Sequence, residues 1–346
     1  DISRTLKKVY GARSAIVVPG SGTFGMEAVA RQFATGRRCL VIRNGWFSYR
    51  WSQIFDTGHI PSDTVVLKAR PITAGRQAPF APPPIDEVVA SIRSNQPDLV
   101  FAPHVETASG IMLPEDYMKK VAEAIHAVGG LFVLDCIASG TVWVDMKAVG
   151  VDILLSAPQK GWSGPACCGL VMLNDTARQR IDDTVSTSFA CDLRKWLQVM
   201  EAYEHGSHAY HATMATDSLT VLRGVMAETE RYGFDTVKEA QLKLGRDVRA
   251  LLRKHGFPSV AAPGFEAPGV IVSYTDDDGI RSGGKFEAAG LQVAAGVALQ
   301  CDEPADFKTF RIGLFGLDKL RDVDATVARL EKALSRIARP PAPAKN

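Results

Sequence analysis

The chain has 346 residues, 46% hydrophobic and 23% charged, a balance that permits a large packed core and excludes a disordered or collagen-like protein. Forty Lys and Arg residues against 38 Asp and Glu residues leave a net charge of +2, so we expect neither nucleic acid nor an anionic membrane as a partner. Six scattered cysteines, and apolar runs far shorter than a membrane span, predict a cytoplasmic protein without a membrane segment.

Short apolar segments alternate with helical patterns through the first two-thirds of the chain, which is typical of a parallel sheet with crossover helices. We predict strands near residues 14–18, 39–43, 64–68, 98–102, 130–135, 152–156 and 168–173. The last third has long helical patterns at 215–231 and 234–254, strands at 269–274 and 310–314, and a helix at 322–337. The sequence therefore predicts an α/β fold with a mostly parallel seven-stranded sheet flanked by helices, followed by a smaller C-terminal α+β domain.

The change of pattern near residue 233 predicts the domain organisation. We place the large domain at 1–232, the small domain at 233–338 and a flexible, proline-rich tail at 339–346. The chain starts at Asp1 without a methionine and soon enters a strand, so we expect further residues to precede it in the natural protein.

A glycine-rich turn follows the first predicted strand and leads into a helix. It reads P-G-S-G-T over residues 19–23. Glycines and hydroxyls at a helix amino terminus suit a phosphate group, although a plain turn with a helix cap has the same composition. The spacing matches neither the dinucleotide fingerprint nor the Walker loop, so this turn alone does not identify the ligand.

Two charged residues follow neighbouring predicted strands, at the sheet edge where open parallel sheets bind ligands. Asp135 ends one strand, and a buried carboxylate there needs a cation or a metal. Lys160 follows the next strand, although alone it would pass for a solvated loop lysine. A lysine for a Schiff base, an acid for the pyridine nitrogen, an aromatic residue and a phosphate loop are together what pyridoxal 5′-phosphate requires.

Three motifs at the strand ends carry a family resemblance. They are H-V-E-T-A-S-G from His104, V-L-D-C-I-A-S around Asp135, and D-I-L-L-S-A-P-Q-K ending at Lys160. Together they resemble the class V aminotransferases of the pyridoxal-phosphate-dependent fold type I, most of all the alanine–glyoxylate and serine–glyoxylate branch. The resemblance extends over nearly the whole chain. It implies that Lys160 and Asp135 are catalytic, the lysine linked to the cofactor and the acid paired with the ring nitrogen.

The resemblance also implies the other contacts. Ile137 and Phe47 would cover the two faces of the ring, and Thr107 would lie near its phenolic oxygen. The implied cofactor-binding residues are Ser21, Gly22, Thr23, Phe47, Thr107, Asp135, Ile137, Gln159, Lys160, Tyr210 and Thr213. Tyr210 and Thr213 match residues that reach a partner's phosphate, which implies a homodimer with active sites at the subunit interface.

Arg311, in F-R-I-G-L-F-G, matches the arginine that binds the substrate carboxylate, for which a planar guanidinium is well suited. We therefore expect a small L-amino acid such as alanine or serine to donate its amino group to glyoxylate or pyruvate in a two-step exchange. Ser48 departs from the family pattern, because glycine is common at this position. The family's amino-terminal segment, which helps to shape the carboxylate pocket, is also absent from this chain.

Several alternatives remain open from the sequence. A transaminase acting on 2-aminoethylphosphonate and pyruvate is one, because an arginine that binds carboxylate also accepts a phosphonate. A lyase or cysteine desulfurase of the same fold is another, and a scaffold that has lost its cofactor is a third. We expect no resident metal, although a cluster of possible zinc ligands lies at Glu204, His205, His208 and His211.

Overall fold

The computed structural model describes residues 1–337, so the tail predicted at 339–346 and the last residue of the predicted small domain lie outside the described residues. The strands in the described chain are β1 (Ser14–Pro19), β2 (Arg38–Arg43), β3 (Asp63–Lys68), β4 (Arg70–Pro71), β5 (Phe80–Ala81), β6 (Leu99–Pro103), β7 (Val105–Glu106), β8 (Ile111–Met112), β9 (Leu131–Asp135), β10 (Ile153–Ser156), β11 (Cys168–Leu173), β12 (Val270–Tyr274), β13 (Ala294–Ala295) and β14 (Thr309–Gly313).

The helices alternate with these strands in the first two-thirds of the chain. They are α1 (Ile2–Tyr10), α2 (Gly22–Val29), α3 (Trp46–Gly58), α4 (Ile85–Asn95), α5 (Glu115–Ala127), α6 (Met146–Val149), α7 (Asp175–Arg180), α8 (Leu193–Glu204), α9 (Thr216–Tyr232), α10 (Phe234–Lys254), α11 (Asp278–Arg281), α12 (Gly284–Ala288), α13 (Leu317–Leu320) and α14 (Val323–Ile337). No helix in the described chain is both long and apolar enough to cross a membrane.

Seven strands form the large sheet, in the order β1-β11-β10-β9-β6-β2-β3. The neighbours from β10 through β9, β6 and β2 to β3 are parallel, whereas β11 is antiparallel to both β10 and β1. All strands except β11 therefore end at the same edge of the sheet. The predicted α/β fold with a mostly parallel seven-stranded sheet is confirmed, and the loops after β1, β2, β6, β9 and β10 meet at this edge.

Helices cover both faces of the large sheet because its strands alternate side chains between the two faces. In β9, Phe132 and Leu134 belong to the core beside α5, whereas Leu131 and Val133 belong to the opposite core beside α3. Each of these four side chains is at most 2% exposed. Full burial of one such side chain contributes roughly 1.5–3 kcal/mol, so the two cores hold the strand ends in fixed positions.

A second, antiparallel sheet has the order β12-β14-β13 and packs with α10 and α14 around its own apolar core. Gly233 separates α9 from α10 with a φ of 102°, a backbone conformation that favours glycine. The division of the chain at this point stays a prediction. A further apolar cluster joins the loop after β7 to β12, with Ala108, Ile111 and Val272 all buried. This contact brings β14 and its Arg311 to the edge of the large sheet.

Candidate active site

The loops that follow β1, β9 and β10 pack tightly against one another at the sheet edge. A side-chain Cβ added to Gly22 would lie 2.7 Å from the Ile137 Cδ1 atom and 3.2 Å from the Ala157 Cβ atom. No larger residue fits at position 22 without displacing one of these neighbours. The predicted phosphate loop and the predicted ring-packing residue are therefore direct neighbours.

Asp135 ends β9 and is only 7% exposed. One of its carboxylate oxygens accepts a hydrogen bond from the Ile137 N–H at 2.9 Å, and Asp135 forms no salt bridge in residues 1–337. The pKa of this carboxyl is raised to about 7, mainly by burial and also by the Glu106 charge, while the Ile137 N–H and the Arg50 charge oppose the rise. A buried acid of this kind lacks a cation, which a protonated ring nitrogen would supply.

Lys160 lies in the turn after β10, half-buried beside Phe315. Its Nζ atom is 5.3 Å from the centre of the Phe315 ring, and within residues 1–337 it forms no salt bridge. Burial lowers the pKa of the amine, and the nearby Arg311 charge lowers it further. A larger share of the neutral amine, the nucleophilic form, is therefore present near neutral pH.

The residue after Lys160 must be glycine. A Cβ added to Gly161 would lie 1.9 Å from the Gly140 carbonyl oxygen, which is a severe clash with backbone. The close approach holds the lysine loop against the turn that follows β9. The turn after Asp135 and the turn that carries Lys160 are therefore held together by close backbone packing.

The predicted phosphate loop presents unsatisfied polar groups. Ser21 occupies the N-cap of α2 without a side-chain capping bond, and the first turn of α2 contains no acidic residue. The side-chain oxygen of Gln159 is also buried without a hydrogen-bond partner in the described chain, but as an acceptor it needs a donor and does not itself indicate an anion. Free N–H groups at a helix amino terminus attract an anion. The loop thus fits a phosphate that the protein itself does not supply.

Phe47 and Arg311 approach each other although they lie in different parts of the chain. The guanidinium carbon of Arg311 is 5.7 Å from the centre of the Phe47 ring. Arg311 Nε donates a hydrogen bond to the Ala295 carbonyl at 2.8 Å, and its two terminal nitrogens form no hydrogen bond in residues 1–337. Burial lowers the pKa of Arg311, with Glu106 opposing. The free side of the guanidinium suits a carboxylate.

Glu106 is a site residue for which the sequence motifs predict no role. It is fully buried, and one oxygen accepts the N–H groups of Phe47 at 3.1 Å and Ala108 at 3.0 Å. The other oxygen accepts the Ser48 N–H at 2.9 Å and the Ser48 hydroxyl at 2.6 Å. A Cβ added to Gly45 would lie 2.7 Å from Glu106 Cγ. Glu106 therefore holds the first turn of α3, and with it Phe47.

A detectable signal for Glu106 was present in the sequence. It is an acid four residues after the predicted strand at 98–102, near the same sheet edge as Asp135 and inside the motif that begins at His104. Arg50 and Phe315 were also missed, although Phe315 lies inside the motif F-R-I-G-L-F-G and Arg50 lies three residues after Phe47. Their roles depend on contacts with distant segments, which the motifs do not show.

Three predicted residues form no side-chain hydrogen bond to this group within residues 1–337. Thr107, which lies in sequence between Glu106 and Ala108, is half-buried and forms no side-chain hydrogen bond within residues 1–337. Tyr210 is 79% exposed, Thr213 is also exposed, and their hydroxyls are 3.5 Å apart. The described chain thus gathers most of the predicted site at the sheet edge and leaves Tyr210 and Thr213 on the surface.

The possible zinc ligands at residues 204–211 do not form a metal-binding group. Glu204 pairs with Lys7 at 2.6 Å, and the His211 ring bonds to the Phe189 carbonyl at 2.8 Å. Within residues 1–337 no set of three His, Cys, Asp or Glu side chains is arranged to hold a metal ion. The zinc alternative is therefore not supported by the described chain.

Comparison with known proteins agrees with this geometry. The sequence profile of the class V aminotransferases matches residues 3–278. The chain belongs to the class V aminotransferase family, so the predicted class of enzyme is confirmed.

The individual relatives act on different substrates according to their names. An alanine–glyoxylate aminotransferase of Callithrix jacchus is 27% identical, with 96% of this chain and 79% of the relative covered. A 2-aminoethylphosphonate–pyruvate transaminase of Paraburkholderia xenovorans is 25% identical, covering 96% and 86%. The crystal structure of an alanine–glyoxylate aminotransferase from Nostoc sp. matches with a TM-score of 0.80 at 19% identity, over 97% of this chain and 85% of that one. That structure supports the fold.

Proposed function

We propose that this chain is a pyridoxal-phosphate-dependent aminotransferase that moves an amino group from a small L-amino acid to a small 2-oxo acid in two half-reactions. Alanine or serine is the expected donor, and glyoxylate or pyruvate the expected acceptor. The observation that carries the proposal is the presence of Asp135, a buried acid without a salt bridge in residues 1–337, and Lys160, a half-buried amine with a lowered pKa, at the ends of the neighbouring strands β9 and β10.

The residues at the sheet edge fit pyridoxal phosphate. Asp135 would face the ring nitrogen, Ile137 and Phe47 would cover the ring, and Thr107 would lie near its phenolic oxygen. Ser21, Gly22, Thr23 and Gln159 would hold the phosphate, for which the free end of α2 provides N–H donors. When bound, the cofactor supplies an electron-accepting ring that stabilises negative charge at the substrate's α-carbon.

Lys160 has two tasks in this proposal. It holds the cofactor between turnovers, and once released it moves the α-proton of the substrate as a general acid–base. A lowered pKa suits this work because the amine must be neutral to accept the proton. Asp135 keeps a negative charge next to the ring nitrogen, and Arg311 orients the donor through its carboxylate.

A donor carrying a phosphonate is the second candidate. The relative from Paraburkholderia xenovorans is named for 2-aminoethylphosphonate, and its similarity to this chain extends over 86% of its length. The two free terminal nitrogens of Arg311 fit either anion. Arg311 therefore does not separate the two donors.

A desulfurase-type lyase needs a reactive cysteine, and Cys301 does not qualify. Its thiol is buried and donates to the Arg43 carbonyl at 3.4 Å. Burial raises its pKa to about 12, so little thiolate forms near neutral pH. Cys168 is likewise buried, within β11. The proposal therefore favours amino transfer over sulfur transfer.

The proposal includes a homodimer in which each site takes Tyr210 and Thr213 from the other subunit. Its support is the exposure of these residues and of the nearby Phe189, which is 77% exposed. A mixture of a Lys160→Ala chain and a Tyr210→Ala/Thr213→Ala chain, measured at a limiting concentration of cofactor, tests whether the sites are shared. Shared sites would restore activity at about a quarter of the sites in a random mixture. No recovery after subunit exchange would show that the sites are not shared.

One experiment tests the function and separates the candidates. The protein is loaded with pyridoxal 5′-phosphate, and amino donors are screened for loss of the visible absorbance of the bound cofactor. Oxo acids are then screened for its return. Bleaching by alanine or serine supports the proposal, and bleaching by 2-aminoethylphosphonate alone supports the second candidate. Ammonia release without an oxo acid would contradict both.

A further inference from the structure

The residues assigned to the proposed site include no cation for the phosphate of the cofactor. A bound phosphate monoester carries about −1.5 to −2 charges at neutral pH. The residues assigned to it are all uncharged: Ser21, Gly22, Thr23 and Gln159, with Tyr210 and Thr213 from the other subunit. The cations already assigned, Lys160 and Arg311, serve the cofactor's aldehyde and the substrate. A buried anion without a cation is costly, so a further positive charge is expected at the phosphate loop.

Arg50 is the cation in contact with that loop. Its Nη1 atom donates a hydrogen bond to the Thr23 hydroxyl at 3.1 Å. Thr23 lies in the first turn of α2, beside the free N–H groups. The guanidinium thus lies at the helix end that would meet the phosphate. Its positive charge and the positive end of the helix dipole would both attract the anion.

Arg50 has no counter-ion in the described part of the chain. It forms no salt bridge within residues 1–337, whereas Arg31 pairs with Glu27 at 2.7 Å. Arg50 lies close enough to Asp135 to oppose the rise of its pKa, but no hydrogen bond joins them. Its charge is therefore available to a ligand.

The position of Arg50 is set by the same helix that carries Phe47. The two residues are one turn apart on α3, and the guanidinium carbon of Arg50 is 5.3 Å from the centre of the Phe47 ring. Glu106 holds the start of this helix through Phe47 and Ser48. Arg50 is thus oriented before any ligand arrives, which lowers the entropic cost of binding.

We propose that Arg50 is a further cofactor-binding residue, which neutralises the phosphate of pyridoxal 5′-phosphate at the amino terminus of α2. This inference rests on the proposed function, because it concerns the same cofactor. It assigns a charged contact to a loop whose other members are neutral. It predicts that Arg50 contributes to the affinity for the phosphate group and not to the affinity for the pyridine ring.

Two ligands that differ only in the phosphate test this directly. Dissociation constants for pyridoxal 5′-phosphate and for pyridoxal are measured by visible absorbance on the full chain, for the wild type and for Arg50→Gln. We expect pyridoxal 5′-phosphate to bind about 10–100-fold more weakly to the variant, and pyridoxal to change by less than about threefold. Arg50→Lys should give an intermediate loss, because it keeps the charge without the fork.

The controls separate the possible failures. Arg37→Gln removes an exposed arginine in the turn before β2, at the opposite end of the sheet, and should change neither constant. Equal losses for both ligands in Arg50→Gln, or no loss, would overturn the role of Arg50 while leaving the proposed function intact. Failure of the wild type to bind pyridoxal 5′-phosphate would overturn the proposed function as well. If Arg50→Gln does not fold, the Arg50→Lys comparison decides between the same outcomes.

Discussion

The edge of the large sheet and the segment between α8 and α9 carry the two parts of the proposed site. They differ in how far their side chains are buried and hydrogen-bonded within the chain. At the edge, Glu106 is fully buried and accepts four hydrogen bonds. In the segment, Tyr210 is 79% exposed and its hydroxyl is 3.5 Å from that of Thr213.

This difference distinguishes two kinds of incompleteness. Asp135 forms no salt bridge within residues 1–337, and because its neighbours are already packed, a small ligand can supply that cation without a rearrangement. Tyr210 lacks packing neighbours in the described chain, because most of its side chain faces solvent. A pre-organised site binds a cofactor without large rearrangement, whereas an exposed aromatic residue becomes useful only after association. Four predictions test this contrast, beginning with the largest effect.

Replacing Lys160 tests whether the sheet edge carries the chemistry. Lys160→Ala should lower turnover by more than about 1,000-fold, because it removes both the cofactor link and the general acid–base. The measurements are amino-transfer rate and the visible spectrum of the loaded protein. Lys147→Ala, which removes an exposed lysine on α6, should leave both unchanged. Activity retained by Lys160→Ala would refute the assignment.

The pH dependence of stability tests whether Asp135 lacks a cation in the cofactor-free chain. Its pKa is about 7 when folded and about 3.9 when unfolded, so between these values the folded state binds more protons. Stability contributed by this group is therefore complete below pH 4 and is lost as the pH rises through 7, by at most about 4 kcal/mol.

The matched variant is Asp135→Asn, which cannot titrate. Urea unfolding of both proteins from pH 4 to pH 8 should show the wild type losing stability relative to the variant as the pH rises. His104, whose pKa burial lowers to about 4, contributes to both proteins, so their difference isolates Asp135. Parallel curves would show that Asp135 already has a partner. Bound cofactor should reduce the difference, because it supplies the cation.

Replacing Glu106 tests whether the edge is built before the cofactor binds. Glu106→Gln should lower the free energy of unfolding of the cofactor-free chain by about 2–3 kcal/mol, because an amide N–H would face N–H donors in a buried place. Thermal unfolding measures this loss. Glu123→Gln, an exposed substitution on α5, should change it by less than about 0.5 kcal/mol. Equal stability of both variants would show that the Glu106 contacts do not organise α3.

Replacing Tyr210 should have the smallest effect, and an effect of a different kind. Tyr210→Phe should weaken cofactor binding by about tenfold, the loss of one hydrogen bond to a charged group. The thermal stability of the cofactor-free chain should not change, because the side chain is exposed. Tyr203→Phe, 64% exposed on α8, is the matched control. A fall in thermal stability with unchanged cofactor affinity would contradict this prediction, because Tyr210 would then support the fold and not the cofactor.

Several features could be predicted from the sequence because they depend on neighbouring residues. All seven strands of the large sheet were expected near their observed positions, since each is a short apolar run bounded by turn residues. Asp135 and Lys160 were identified through their combination near the ends of two predicted strands, within motifs that resemble the class V aminotransferases. The order of the strands, and the antiparallel direction of β11, were not expected from the pattern, because pairing is decided between distant segments.

The sequence by itself therefore determined the strands, the class of enzyme and the charged residues at the strand ends. Only the tertiary structure decided which side chains share the site. The bond from the Phe47 N–H to Glu106 spans 59 residues, and Arg311 comes from a different sheet to lie beside Phe47. Such contacts depend on how two apolar cores pack and where helix α3 begins, and local sequence patterns do not encode either. Tyr210 and Thr213 are exposed in the described chain, and whether a second subunit covers them, as proposed, depends on the assembled structure and not on their local sequence.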